Sequence, residues 1–232
     1  MSTLFQLLRW DFTMQVRHGF WVAALFVLLP WVAVLLSVSQ EQASFLLPAL
    51  IFLDISVAGT LFMAGVYFFE KREGSLRALV VTPVRTWQWL TSKLVSLTVM
   101  GTVMCVVLVV VKKGIHAPWG YVLVAILCIN VLFILFGFIL AAPNDRFTNF
   151  FLYFALFFGV MEVPCLAFFG ISHPLFWLLP TQPALVLLRG AFAGMPPARF
   201  AGVLGVQLAW IAIAYFVSLR SFHHHIADRR GA

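Results

Sequence analysis

Two carboxylates stand inside long apolar stretches of the sequence. Asp54 lies within residues 45–69, and Glu162 lies near the end of residues 147–170. An ionisable group in a membrane-spanning segment is costly, and it usually faces a protein interior or a water-filled path. Such a group could contact a cationic substrate, pair with a Lys or Arg, or stay protonated within the packing. We therefore treat Asp54 and Glu162 as candidate residues of a substrate path.

Charge is concentrated in one segment, residues 70–93, which holds seven of the 23 charged residues of the chain. Leu76 and Leu79 repeat at helical spacing beside basic residues, so the pattern predicts a short amphipathic helix on the inner membrane face. Residues 70–73 either begin this helix or extend the apolar segment before it. The alternative interpretation is a solvated, positively charged loop.

Other patterns that carry chemistry are missing. The sequence has no Gly-Lys dipeptide and therefore no phosphate-binding Walker A loop, and it has no His-Glu-x-x-His motif. Residues 223–225 are adjacent histidines near Asp228, but neighbouring histidines on a tail rarely converge on one ion. We predict no catalytic residue, no metal site and no cofactor bound by this chain. A membrane enzyme that uses Glu162 and His173 is the alternative.

The composition indicates the class of protein to which these residues belong. The chain has 232 residues, of which 63% are hydrophobic and 10% are charged, and its mean hydropathy is +1.03. These values exclude an ordinary water-soluble domain and a disordered chain. The formal net charge is +7, but no run of Lys and Arg exceeds two residues. Positively charged cytoplasmic loops explain this excess better than nucleic-acid binding does.

Six apolar runs are long enough to cross a bilayer, which takes about 20 residues each. We predict an all-α, polytopic membrane protein that forms a single transmembrane domain over residues 1–232. The predicted spans are residues 19–38, 45–69, 89–111, 119–142, 147–170 and 200–219. Residues 171–199 contain five prolines, so short re-entrant or interfacial helices are expected there before the last span.

The distribution of basic residues predicts the orientation. With the N-terminus inside, eleven Lys and Arg residues fall on the cytoplasmic side and four fall outside. This difference favours a cytoplasmic location for both termini. Lys112 and Lys113 are the local exception, since they lie on the predicted outer side.

The segment after the second span resembles that of the permease subunits of ABC-2 type transporters, especially bacterial drug and antibiotic exporters. The shared features are two Glu and a basic residue before Gly-Thr/Ser-Leu-x-x-Leu-x-x-Thr-Pro-Val/Leu, with a Lys about ten residues later. The matching residues are Glu70, Arg72, Glu73, Gly74, Ser75, Leu76, Leu79, Thr82, Pro83, Val84 and Lys93. Ser75 departs from the usual Thr. Pro180-Thr181-Gln182-Pro183 is similar to the family's Pro-rich stretch before the last span.

The resemblance implies a permease in the bacterial inner membrane that pairs with a second permease and with a cytoplasmic ATP-binding subunit. ATP and Mg²⁺ would bind on that partner, and this chain would contact membrane lipid and no nucleic acid. The expected cargo is a hydrophobic drug or antibiotic; a lipid, a polysaccharide or haem is the alternative cargo. The resemblance assigns contact with the ATPase, and transmission of its closure, to a coupling helix that contains Glu70, Lys71, Arg72, Glu73, Gly74, Leu76 and Leu79.

Overall fold

The computed structural model of the chain describes residues 3–76, 84–171, 173–222 and residue 224. Over these ranges the chain forms helices and no β-strand, which confirms the all-α prediction. The α-helices are α1 (Thr3–Arg17), α2 (Phe20–Ser37), α3 (Gln40–Glu73), α4 (Thr86–Lys113), α5 (Trp119–Ala141), α6 (Phe147–Met161), α7 (Thr181–Ala193) and α8 (Pro197–Phe222). Short 3₁₀ helices cover Gly114–His116, Val163–Phe169 and Pro174–Leu178.

The prediction of six spans is confirmed by the length and composition of the helices. The candidate membrane spans are Phe20–Ser37, Phe45–Glu73, Thr86–Lys113, Trp119–Ala141, Phe147–Phe168 and Pro197–Phe222. The spans on α3, α4 and α5 form the centre of the bundle, since half or more of each is buried within the protein. The spans that begin at α2, α6 and α8 are peripheral, with 17–22% buried.

Glycine allows α5 to lie directly against the helices on either side of it. A Cβ atom at Gly137 would lie 2.5 Å from the carbonyl oxygen of Thr60 on α3. A Cβ atom at Gly101 on α4 would lie 2.1 Å from the amide oxygen of Asn130 on α5. Small residues let membrane helices approach this closely.

Both ends of α3 are defined by local sequence. Ser39 caps the first turn: its hydroxyl accepts from the backbone N–H of Gln42, and the Gln42 side chain accepts from the Ser39 N–H. Gly74 ends the helix with a φ of 76°, a left-handed conformation that favours glycine. Residues 70–73 are therefore the last turn of the second span, which decides between the two alternatives left open by the sequence.

The fifth predicted span requires a correction. The span itself is confirmed as Phe147–Phe168, two residues short of the prediction, but only its first part is α-helical: the α-helix ends at Met161, and Glu162 is the C-cap residue. Pro164 has no N–H to donate to the preceding turn, so the chain continues as the 3₁₀ helix Val163–Phe169. The Pro-rich stretch then forms α7, whose 13 residues give a length of about 20 Å, too short to cross the hydrocarbon core. Most of α7 is buried against other helices.

The first helix, α1, was not predicted. It turns its polar residues Asp11 and Gln15 towards the protein, while Phe5 and Trp10 are more than half exposed. Helices with an exposed apolar face of this kind lie at membrane interfaces. At the other end of the chain, Phe222 packs against Trp89 near the start of α4. The first and last described helices thus meet the bundle at the same end.

Candidate functional site

A buried ion cluster joins three helices at that end of the bundle. The Lys93 ammonium on α4 contacts the carboxylates of Asp11 on α1 and Glu70 on α3. All three residues are at most 7% exposed. The Lys93 ammonium offsets part of the desolvation cost that the two buried carboxylates would otherwise carry.

Every carboxylate oxygen of this cluster accepts a hydrogen bond. The Ser92 hydroxyl donates to the second oxygen of Asp11, and the Trp89 indole donates to the second oxygen of Glu70 at 3.0 Å. A satisfied network in a low-dielectric interior is rigid, because moving one member breaks bonds that water cannot replace. The cluster therefore fixes the end of α3 relative to α1 and α4.

Lys71 attaches the same turn of α3 to the connection between α5 and α6. Its ammonium donates to the backbone oxygen of Asn144 at 2.9 Å and to the Asp145 carboxylate at 2.9 Å, both in the connection between α5 and α6. The Tyr67 hydroxyl also donates to the Ala142 carbonyl oxygen at 3.2 Å. Glu70 and Lys71 are consecutive residues, so one turn of α3 contacts both α4 and the α5–α6 connection.

The remaining predicted coupling residues differ in exposure. Arg72 and Glu73 are exposed, Gly74 forms the turn that ends α3, and Leu76 is 4% exposed and belongs to the hydrophobic core. Leu79 lies outside the described residues, as does most of the predicted amphipathic helix. In the described part of the segment, Glu70 and Lys71 are held by other parts of the protein, whereas Arg72 and Glu73 are exposed and carry opposite charges.

Asp54 lines a small cavity between α2, α3, α4 and α5. The Oδ1 atom of its carboxylate is buried and has no hydrogen-bond partner. Centres of water-sized molecules can occupy about 20 Å³ of this space, which is enough for one water molecule. The other lining residues are Ala24, Val27, Ile55, Ala58, Gly59, Phe62, Leu97, Met100, Gly101, Met104 and Asn130.

Glu162 faces a different part of the protein. It accepts from the Cys165 thiol at 3.0 Å and lies beside Ser56, while its Oε1 atom has no partner. Ser56 follows Asp54 by two residues on α3, so their side chains are about 200° apart around the helix. The residues that line the Asp54 cavity do not include Glu162. The structure therefore does not join the two carboxylates in one cavity.

Other sequence candidates have local structural roles. His173 accepts from the backbone N–H of Leu175 at 3.2 Å and so caps a 3₁₀ helix. At the opposite end of the bundle from the ion cluster, Lys112 donates to the carbonyl oxygens of Leu35 and Val38 at 2.9 and 2.7 Å. A cation at the end of α2 is stabilised by these unpaired carbonyls, which accounts for this Lys on the predicted outer side.

In the described part of the chain, no group of three or more His, Cys, Asp and Glu side chains is placed to hold a metal ion. The two carboxylates that do converge, Asp11 and Glu70, are occupied by the Lys93 ammonium. Of the histidine tail, only residue 224 is described. The candidate site is thus an ion cluster and a separate cavity with one unpartnered carboxylate oxygen.

Sequence reasoning missed Asp11 and the role of Lys93. One signal was present: Asp11 is the only acidic residue among the first 40, and it follows Leu7 and Leu8 in a segment with helical periodicity. An isolated acid in such a segment indicates a buried partner of opposite charge. The partner itself could not be named, because Asp11 and Lys93 are 82 residues apart in sequence.

Comparison with known proteins identifies the family. The sequence matches the fluoroquinolones export permease protein family over residues 2–230. It is 33% identical over 194 residues to proteins named fluoroquinolones export permease protein in two strains of Mycobacterium tuberculosis, which covers 83% of this chain and 82% of each relative. The family match spans the positions of the ion cluster, the segment after α3 and the Asp54 cavity. The chain therefore belongs to the fluoroquinolones export permease protein family.

Proposed function

We propose that this chain is the membrane subunit of an ATP-driven exporter that moves hydrophobic, drug-like molecules, fluoroquinolones among them, out of the cell. The observation that carries the proposal is membership of a family whose relatives are named for fluoroquinolone export. Because the sequence has no Gly-Lys dipeptide, ATP and Mg²⁺ would bind to a separate cytoplasmic subunit. The chain would lie in the bacterial inner membrane with both termini in the cytoplasm, and it would pair with a second permease.

The ATPase contact in this proposal is the segment that contains Glu70, Lys71, Arg72, Glu73, Gly74, Leu76 and Leu79. Support comes from the contrast between its two parts. Glu70 and Lys71 are fixed to α4 and to the α5–α6 connection, whereas Arg72 and Glu73 are exposed. A partner that pushes on the exposed charges would move the ends of α3 and α4 together, which is the kind of rigid-body shift that transport requires.

Asp54 is the residue that we propose to contact substrate. Its unpartnered oxygen lies in a cavity otherwise lined mainly by apolar side chains, a combination that suits an apolar molecule with a protonated amine. The cavity holds about one water molecule in this conformation, so the helices must separate before a drug-sized molecule can enter. We assign Glu162 to the path as a second contact, on the other side of α3.

The test is export by the purified chain together with its native ATPase partner in proteoliposomes. We expect ATP-dependent transport of a cationic, fluorescent fluoroquinolone. Asp54→Asn should reduce transport about tenfold or more, which corresponds to the loss of one hydrogen bond to a charged group.

Glu41→Gln is the matched control, because it removes an exposed carboxylate from the same helix. It should leave transport unchanged. Export of lipid, polysaccharide or haem without drug transport would contradict the substrate assignment. Activity of the isolated chain without an ATPase would contradict the subunit assignment.

A further inference from the structure

Two cavities lie one above the other along the same groove of the bundle. The first surrounds Asp54; the second adjoins the ion cluster, and its lining includes Phe20, Val66 and the three cluster residues Asp11, Glu70 and Lys93. The α2 helix contributes Phe20 to the second cavity and, one and two turns later, Ala24 and Val27 to the first. The groove between α2, α3 and α4 is therefore incompletely filled in two places, at the ion cluster and at Asp54.

On each of α3 and α4, a single face carries both a residue of the ion cluster and residues that line the Asp54 cavity. On α4, Lys93 is followed at helical spacing by Leu97, Met100, Gly101 and Met104, which line the Asp54 cavity. On α3, Glu70 is preceded at the same spacing by Val66 and Phe62. Because these residues share one face of each helix, a displacement of Lys93 and Glu70 along the helix axes would move these walls with them.

We propose that the Asp11–Lys93–Glu70 cluster is the link through which movement of the segment after α3 is converted into widening of the Asp54 cavity. Asp11 and Lys93 act as positioning residues that hold α1, α3 and α4 as one unit. This inference rests on the proposed ATPase contact of that segment. Without the link, closure of the ATPase would displace the end of α3 alone and the cavity would stay closed.

Three observations support this assignment over a merely stabilising role. The cluster joins three helices rather than two, and one of them continues directly into the exposed charges Arg72 and Glu73. Each of its carboxylate oxygens is bonded, whereas Asp54 in the cavity has an unpartnered oxygen. The polar groups of the groove thus separate into a rigid cluster at one end and a free acceptor beside the space that must open.

The test compares the parent exporter with a variant in which the cluster is replaced by neutral residues of similar shape, Asp11→Asn with Glu70→Gln and Lys93→Met. Neutral replacement of a buried ion cluster as a set commonly preserves folding. In proteoliposomes with the ATPase, we expect ATP hydrolysis to persist while drug transported per ATP falls about tenfold.

A second readout follows the cavity itself. Cys105 on α4 is fully buried and lies one helical turn after Gly101, a residue of the cavity wall. In a background with Cys128→Ala and Cys165→Ala, we expect a non-hydrolysable ATP analogue to accelerate labelling of Cys105 by a membrane-permeant maleimide. The neutral cluster variant should lose this acceleration. A role in stability alone would leave the nucleotide dependence of labelling unchanged.

The matched control removes a neighbouring contact between α1 and α4, two of the three helices that the cluster joins. Gln15 donates to Ser96 at 3.0 Å, one turn from the cluster, without reaching α3. Gln15→Leu with Ser96→Ala should retain parental transport per ATP. Asp11→Asn alone leaves a matched Lys93–Glu70 pair and serves as a second variant if the triple replacement fails to insert. We expect it to reduce the drug transported per ATP about threefold.

The outcomes distinguish this link from the proposed function. If the parent complex shows no ATP-dependent drug export, the proposed function fails and the link fails with it. If the parent exports drug while a correctly inserted neutral variant keeps the parental ratio and parental Cys105 labelling, the link alone is overturned. Absence of nucleotide-dependent labelling in an exporting parent would also overturn it.

Discussion

Substitution of Gly137 by alanine tests the tight contact on which the central helices depend. The new Cβ atom would lie 2.5 Å from the Thr60 carbonyl oxygen and 2.9 Å from the Thr60 Cα atom. Both are backbone atoms, so no side chain can rotate away, and α3 and α5 must separate by about 0.9 Å to reach an ordinary contact of 3.4 Å. Overpacking of this kind costs about 1–3 kcal/mol, and backbone contact places Gly137 at the upper end.

Alanine also gains about 1 kcal/mol over glycine in a helix interior, so the expected net loss is about 2 kcal/mol in the free energy of unfolding. The assay is unfolding in mixed micelles with increasing denaturing detergent, followed by tryptophan fluorescence. Gly202→Ala on α8 is the matched control, because a Cβ atom there meets nothing within 4 Å. It should be neutral or slightly stabilising. Equal stability of the two variants would refute the close approach of α3 and α5.

Two further predictions concern lysines that bind partners within the protein. Lys93→Met should lower the free energy of unfolding by about 3–5 kcal/mol, because it leaves the Asp11 and Glu70 carboxylates buried without their cation. Adding Asp11→Asn and Glu70→Gln should restore most of this loss, and thermal unfolding in detergent measures both variants. Lys112→Met should cost about 2 kcal/mol, since it removes hydrogen bonds from a charged group to two carbonyl oxygens at the end of α2. Lys112→Arg is the charge-retaining control in the same unfolding assay, and equal loss in both variants would argue against the cap.

Much of the fold could be predicted because its causes are local. A stretch of about 20 apolar residues must form a helix in a bilayer, where unpaired backbone groups are prohibitively costly. Two helix ends shifted because a local rule competed with hydropathy: Pro164 ended α6 early, and the Ser39 cap started α3 before the apolar run. The amphipathic helix α1 was missed because its mean hydropathy is too low for a span.

The residues of the candidate site could also be predicted in part, whereas their arrangement could not. The sequence singled out Asp54, Glu162 and the charged segment after the second span, because a charge in an apolar context stands out without any knowledge of packing. It could not decide that Asp54 and Glu162 lie on different sides of α3, since their separation around the bundle depends on how the helices rotate against each other.

The sequence by itself determined that the chain crosses a membrane six times, that its polar residues are concentrated in a few places, and which family it resembles. Only the tertiary structure decided that Asp11, Glu70 and Lys93 meet in one cluster, and that this cluster shares a groove with Asp54. Hydropathy and capping act over a few neighbouring residues, whereas a contact across 82 positions is set by the packing of whole helices.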